Sequence, residues 1–193
     1  MEKIRLLLYC CKQPHKLFNT DKGFVLSDFE LGDFYKDKTL LNGKIVAECD
    51  YEVEEIEKFL CYEFGGIVRE YKTKTLIFEE LLKKSCLSNK ELDNYLNGNV
   101  GYAIHVKNLN IFDKPKDLDY YVKDNGFTIE KTPQNMMYAY SWDFPIKVGN
   151  CYKREKYILI SIRTEEMFRL LNGEQSILVR KKVLKEMVKW ATY

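Results

Sequence analysis

The chain has 193 residues, 46% hydrophobic and 31% charged, enough for one domain or two small ones to bury a core without disulfide staples. Aromatic residues at 14% exclude a disordered chain, and the longest apolar runs, Leu6 to Cys11 and Tyr157 to Ile160, fall far short of the roughly 18 residues a membrane span needs. The net charge is +2, but residues 151–193 hold ten Lys/Arg against five Asp/Glu, an asymmetry that points to a polyanionic partner as well as to a solvated surface.

In chain order, Ile4 to Cys10 reads as a strand, and Lys44 to Tyr51 as another entered through an Asn42-Gly43 turn. Leu76 to Leu82 has the i, i+4 spacing of a short helix, and Ser88-Asn89-Lys90-Glu91 is a capping-box pattern opening a second helix that Gly98 or Gly101 ends. Tyr102 to Val106 reads as a strand, Pro115 as a turn, and Met136 to Tyr140 as a further strand. Ile158 to Ile162 then forms a strand, Thr164 opens a helix with Glu165 and Glu166 in its first turn, Gly173 stops it, and Ile177 to Arg180 forms another strand. Val183, Met187 and Trp190 are spaced for a last amphipathic helix. Short strands with interspersed short helices define an α+β plan, and the lack of repeats or low-complexity stretches gives a single domain over 1–193.

Six cysteines carry no C-x-x-C pair and are accompanied by only two histidines, His15 and His105, so no metal site and no cofactor are expected. Scattered cysteines of this kind act as small buried hydrophobes. With Met1-Glu2-Lys3 running straight into a short apolar strand and no small-residue cleavage site behind it, the expected location is cytoplasmic, away from membranes.

Tyr157 to Arg163 followed by Leu170-Leu-Asn-Gly-Glu-Gln-Ser-Ile-Leu-Val-Arg180 resembles the opening of the ASCH domain, a branch of the PUA-like superfamily with the signature G-x-K-x-x-E-x-R. Asn42 to Glu48, Cys86 to His105 with Asp113-Lys-Pro115, and Thr132 to Asn135 are similar to later blocks of phage and prophage ASCH proteins. The blocks that usually come first stand last here, at 157–183, which reads as a circular permutation. The resemblance implies a small PUA-like β-barrel with flanking short helices and permuted strand order. In it the first strand sits beside the strand carrying the Pro-Gln motif, unless the C-terminal segment swaps into a second chain to make a homodimer.

The same resemblance implies an RNA or nucleotide-like ligand. Such a cleft needs cations for phosphate, amides or carboxylates for base edges, and aromatic faces for stacking. Arg180 stands at the motif arginine, with Lys181 and Lys182 after it, Arg163 at the end of the adjacent strand, and Lys44 and Glu48 on another. Gln134 and Asn135 follow a proline at a strand start, where their amides can read a base edge or bond their own backbone. His105 alternates with apolar neighbours and reads as a ligand contact or a hydrogen-bonded structural histidine. Arg180 equally fits a structural ion pair with Glu48.

Some ASCH proteins hydrolyse N4-acetylcytidine with a lysine, a threonine and a glutamate. Here those positions hold Gln175, Leu178 and, near the third, Ser85, so no catalytic residue is assigned and that chemistry is expected to be absent. A ribonuclease would have to use Lys44, Glu48 and His105. The other alternative is a phage-encoded inhibitor of a host defence protein, anti-CRISPR or similar, presenting an acidic face of Glu52, Glu54, Glu55 and Glu57.

Overall fold

The computed structural model describes residues 4–11, 41, 43–63, 66–142, 146–148 and 151–189. Ten strands, β1 (Arg5–Cys10), β2 (Ile45–Glu63), β3 (Gly66–Lys72), β4 (Gly101–Lys116), β5 (Tyr121–Val122), β6 (Met136–Ser141), β7 (Ile146–Val148), β8 (Cys151–Lys153), β9 (Lys156–Ile162) and β10 (Ile177–Arg180), are described together with four helices. The helices are α1 (Phe78–Ser85), α2 (Asn89–Leu96), α3 (Thr164–Leu171) and α4 (Lys185–Lys189). Eight strands share one mixed sheet in the order β10-β4-β2-β1-β9-β6-β5, with β3 also on β2, and β7 pairs β8 separately. The architecture is α+β as expected, but this sheet is not closed into the expected barrel, because β10 and β5 end it.

The chain divides into two compact units, one of residues 1–50 and 108–172, the other of 51–107 and 173–193. In the first, β1 pairs antiparallel with β2 and parallel with β9, and β6 pairs antiparallel with β9. Both faces of β1 are buried: Leu7 and Tyr9 join Ile45, Ala139 and Leu159 in one cluster, while Leu6, Leu8 and Cys10 are also fully buried. A strand buried on both sides must be a continuous apolar run, which is why Leu6-Leu7-Leu8 carries no alternation. The strand after the Pro-Gln motif, β6, is not beside β1 as expected; β9 lies between them, its Ile158, Ile160 and Ile162 being as fully buried as β1.

In the second unit β10 pairs antiparallel with β4 and β3 with β2. Ile56, Tyr71, Leu81, Leu92, Leu96, Ala103, Ile177 and Val179 form its core. The capping box is present in full: the Ser88 hydroxyl accepts from the Glu91 amide and Glu91 accepts from the Ser88 amide. Helix α1 starts at Phe78 rather than Leu76, because the Thr73 hydroxyl takes the Leu76 amide and carbonyl into a local turn. Helix α3 opens at Thr164 as expected, with Arg163 at the N-cap position making no side-chain cap bond, and the Thr164 hydroxyl accepts from the Cys10 thiol at 3.6 Å. Pro115 lies inside β4, one residue from its end, where a missing N–H is tolerated, and not in a turn. Trp190 lies outside the described residues; the last helix spans Lys185–Lys189 and buries Met187. No helix among the described residues is long and apolar enough to cross a membrane.

Within β4, Asn108 adopts a left-handed φ of 49°. Before it the odd residues His105 and Lys107 meet the even carboxylates Glu54 and Glu52 of β2; from it onward the even residues Asn108 and Asn110 meet Asp50 and Glu48. That change of parity is what one extra bulged residue produces. Replacing Ser88 with Ala removes the cap of α2 and should lower unfolding stability by about 1 kcal/mol in a urea titration; an unchanged midpoint would show that α2 holds by packing alone.

Candidate nucleic-acid interface

Strand register determines where the expected site residues of the first unit lie. Since β1 and β9 are parallel and β2 and β6 run against them, the C-terminal ends of β1 and β9 and the N-terminal ends of β2 and β6 stand side by side. Backbone bonds tie this row together: the Cys10 amide donates to the Lys44 carbonyl at 2.9 Å, the Cys11 amide to Ile162 at 2.9 Å, and the Ser161 amide to Asn135 at 2.8 Å. The Ser161 hydroxyl adds a 2.6 Å bond to the Pro133 carbonyl, docking the Pro-Gln segment on the end of β9. Lys44, Arg163, Gln134 and Asn135 therefore occupy one row of strand ends, about 15 Å long at the usual strand spacing. Arg163 and Gln134 are exposed, Lys44 and Asn135 half-buried. The Lys44 ammonium is paired with Asp117, an exposed contact that a stronger anion can displace.

Glu48 sits further along β2, and its Oε1 accepts from Arg5 at 2.6 Å and from Asn110 at 3.1 Å. Glu48, offered by the sequence as an ion-pair partner of Arg180, is instead paired with Arg5, which also approaches Asp50 at 3.8 Å.

In the second unit Arg180 is buried and donates to the Val179 carbonyl at 2.8 Å, while Lys181 and Lys182 are exposed, Lys181 lying 5.2 Å from the centre of the Tyr95 ring. His105 Nε2 lies 2.8 Å from Glu54 Oε1. Glu54 also accepts from the Thr75 hydroxyl at 2.6 Å and the Thr75 amide at 3.2 Å, so His105 is part of a structural anchor that fastens the turn before α1 to β2 and β4. Burial alone would raise the Glu54 carboxyl, but Thr75 and His105 outweigh it and hold it below its ordinary value. Of the acidic residues of β2, Glu52, Glu55 and Glu57 are exposed, Glu52 lying 2.6 Å from Lys107 and Glu57 3.9 Å from Lys72, while Glu54 is nearly buried.

Three residues that the sequence resemblance sets against catalytic positions face the interior of this unit. Ser85, Gln175 and Leu178 are 2%, 4% and 0% exposed, with Ser85 donating to Leu82 and Gln175 to the Ile177 carbonyl at 2.8 Å. Burial pushes the Cys10 thiol up to about 11 against the lowering effect of Thr164, and Cys49 up to about 12, so both are protonated fillers of the core. Cys61 and Cys151 carry no described side chain, and His15 lies outside the described residues. Among the described residues no three His, Cys, Asp or Glu side chains are placed to hold a metal ion.

One feature of the first unit was missed in the sequence. An open groove of about 410 Å³ is lined by Tyr120, Tyr121, Trp142 and Tyr157, with Lys116, Asp119, Ser141 and Glu155. Its walls Tyr120 and Trp142 are 60% and 58% exposed. The signal available was the alternation of Tyr138, Tyr140 and Trp142, which extends the aromatic face of β6 past the strand end. Comparison with protein-family models, with curated proteins and with solved structures finds no match.

Because the Glu54 carboxyl is depressed in the folded protein, it adds stability above its unfolded value near pH 4.5, and that stability is lost as pH falls through the lower folded value. The stability gap between the wild type and Glu54→Gln should therefore be full at pH 7 and narrow below about pH 4. Denaturation midpoints across that range check this, and a gap independent of pH would contradict it.

Proposed function

We propose that the protein binds RNA or a nucleotide-like ligand at the row of strand ends in the first unit, without hydrolysing it. The observation that carries the reading is the gathering of Lys44, Arg163, Gln134 and Asn135 by the β2-β1-β9-β6 register. Two cations suit phosphates, and two adjacent amides suit base edges, with donors and acceptors on one planar group. The sites expected for amide hydrolysis are buried, which supports binding over that catalysis. The resemblance of 157–180 to the ASCH opening favours the same ligand class; within this proposal a PUA-like origin is compatible with an open sheet whose ends carry the ligand. Arg180, Lys181, Lys182 and His105 belong to the other unit and are not needed by the proposed row.

Fluorescence anisotropy with a short labelled single-stranded RNA, at low and at physiological salt, tests the reading. Arg163→Ala should weaken binding about tenfold and reduce the salt slope by about one phosphate contact, whereas Arg180→Ala should leave the slope unchanged. Gln134→Ala should alter base preference more than salt dependence. Binding insensitive to Arg163 and Lys44, or no binding at low salt, would overturn it.

A further inference from the structure

The groove of the first unit lies at the opposite end of the β6–β9 ladder from Arg163 and Asn135. Ser141 and Tyr157 are at the end where Tyr140 pairs Lys156, and Asn135 is at the end where Met136 pairs Ile160. Its chemistry is also opposite. Two carboxylates, Asp119 and Glu155, face one ammonium, that of Lys116, which lies 4.0 Å from the centre of the Phe112 ring. A groove with an excess of carboxylate repels phosphate, so it does not extend the proposed RNA row.

We infer that this groove is a binding site for a small organic cation, a substituted ammonium held against the rings of Trp142 and Tyr120 and balanced by Glu155 and Asp119. Indole is the best of the side-chain rings for a cation, aromatic residues gathered at one site are what recognises quaternary ammonium, and the neighbouring carboxylates add attraction to its charge. The floor is fixed. Tyr121 and Tyr157 pack edge to face with ring centres 5.7 Å apart, and both belong to the buried core or lie against it. The Tyr157 hydroxyl donates to Glu155 at 2.5 Å, and burial, then this hydrogen bond and the Glu155 charge, hold Tyr157 above its ordinary value so that it keeps this proton. Glu155 is thus oriented before a ligand arrives, which lowers the ordering cost of binding. The backbone amide of Trp142 donates to the Tyr120 carbonyl at 3.3 Å, setting the two walls relative to each other. A volume of about 410 Å³ holds a choline-sized molecule and is at the small end of ligand sites.

The test follows the indole N–H signal of Trp142 by NMR on the full chain, with ionic strength held constant by sodium chloride. Trp142→Phe assigns that signal against the second tryptophan, Trp190. Choline should shift the signal saturably, at least tenfold more tightly than its neutral isostere 3,3-dimethyl-1-butanol, and Glu155→Gln should reduce that preference severalfold. Melting curves of the variants check that they remain folded. A trimethyllysine peptide binding tenfold more tightly than choline would assign the cation to a protein side chain; equal or weaker binding would assign it to a free small molecule. Equal shifts by choline and the neutral isostere would overturn the inference, as would no shift at about 100 mM choline, two decades above a millimolar site. A larger effect from adenosine monophosphate than from choline would also overturn it, and would make the groove a base-stacking surface. None of these outcomes depends on Arg163, so the RNA reading stands or falls separately.

Discussion

The parallel pairing of β1 with β9, residues more than 150 positions apart, is the constraint on which the first unit depends. Neither strand has a solvent face to give up: Leu6 to Cys10 and Ile158 to Ile162 are buried throughout. Two such runs can satisfy their backbone groups only by pairing inside a sheet, and a parallel pair needs neighbours on both sides. Here β2 and β6 are those neighbours, and both run antiparallel to the central pair. The row of strand ends carrying Lys44, Arg163 and the Gln134-Asn135 amides follows from that arrangement.

Charge is distributed according to the same geometry. Along β2, alternate carboxylates are each met by a particular partner: Glu48 by Arg5, Asp50 by Asn108, Glu52 by Lys107 and Glu54 by His105. Such contacts, local to each unit, satisfy the carboxylates of an acidic strand at modest energetic gain where exposed and at larger gain where Glu54 is nearly buried. Lys44, paired with the exposed Asp117, and Arg163 stand at strand ends. Glu155 and Asp119, in the aromatic groove, show the opposite polarity within the same unit.

Much of the local structure was legible because it depends on neighbours in sequence. The Ser88 capping box, the Gly173 stop at a φ of 73°, and strands β6, β9 and β10 are each encoded within a few residues. Lengths were less legible: β4 continues to Lys116 through Asn108 and Pro115, because a bulge and a strand end accommodate residues that locally read as breaks. Pairing order was least legible. The burial of β1 on both faces is visible in its apolar run, but which strand separates it from β6 is decided by long-range packing, and so is the absence of barrel closure. For the site, Lys44, Arg163, Gln134 and Asn135 could be named as types suited to a nucleic acid. That Glu48 would be taken by Arg5, and Arg180 by the Val179 carbonyl, required the tertiary structure.

The most direct measurement of the central claim is an amide NMR map of the isotopically labelled chain on addition of a short single-stranded RNA. Shifts concentrated at residues 10–11, 43–44, 134–135 and 161–164, the four strand ends brought together by the β1–β9 pair, are the expected result. Shifts confined to residues 177–185, with the strand ends silent, would contradict it.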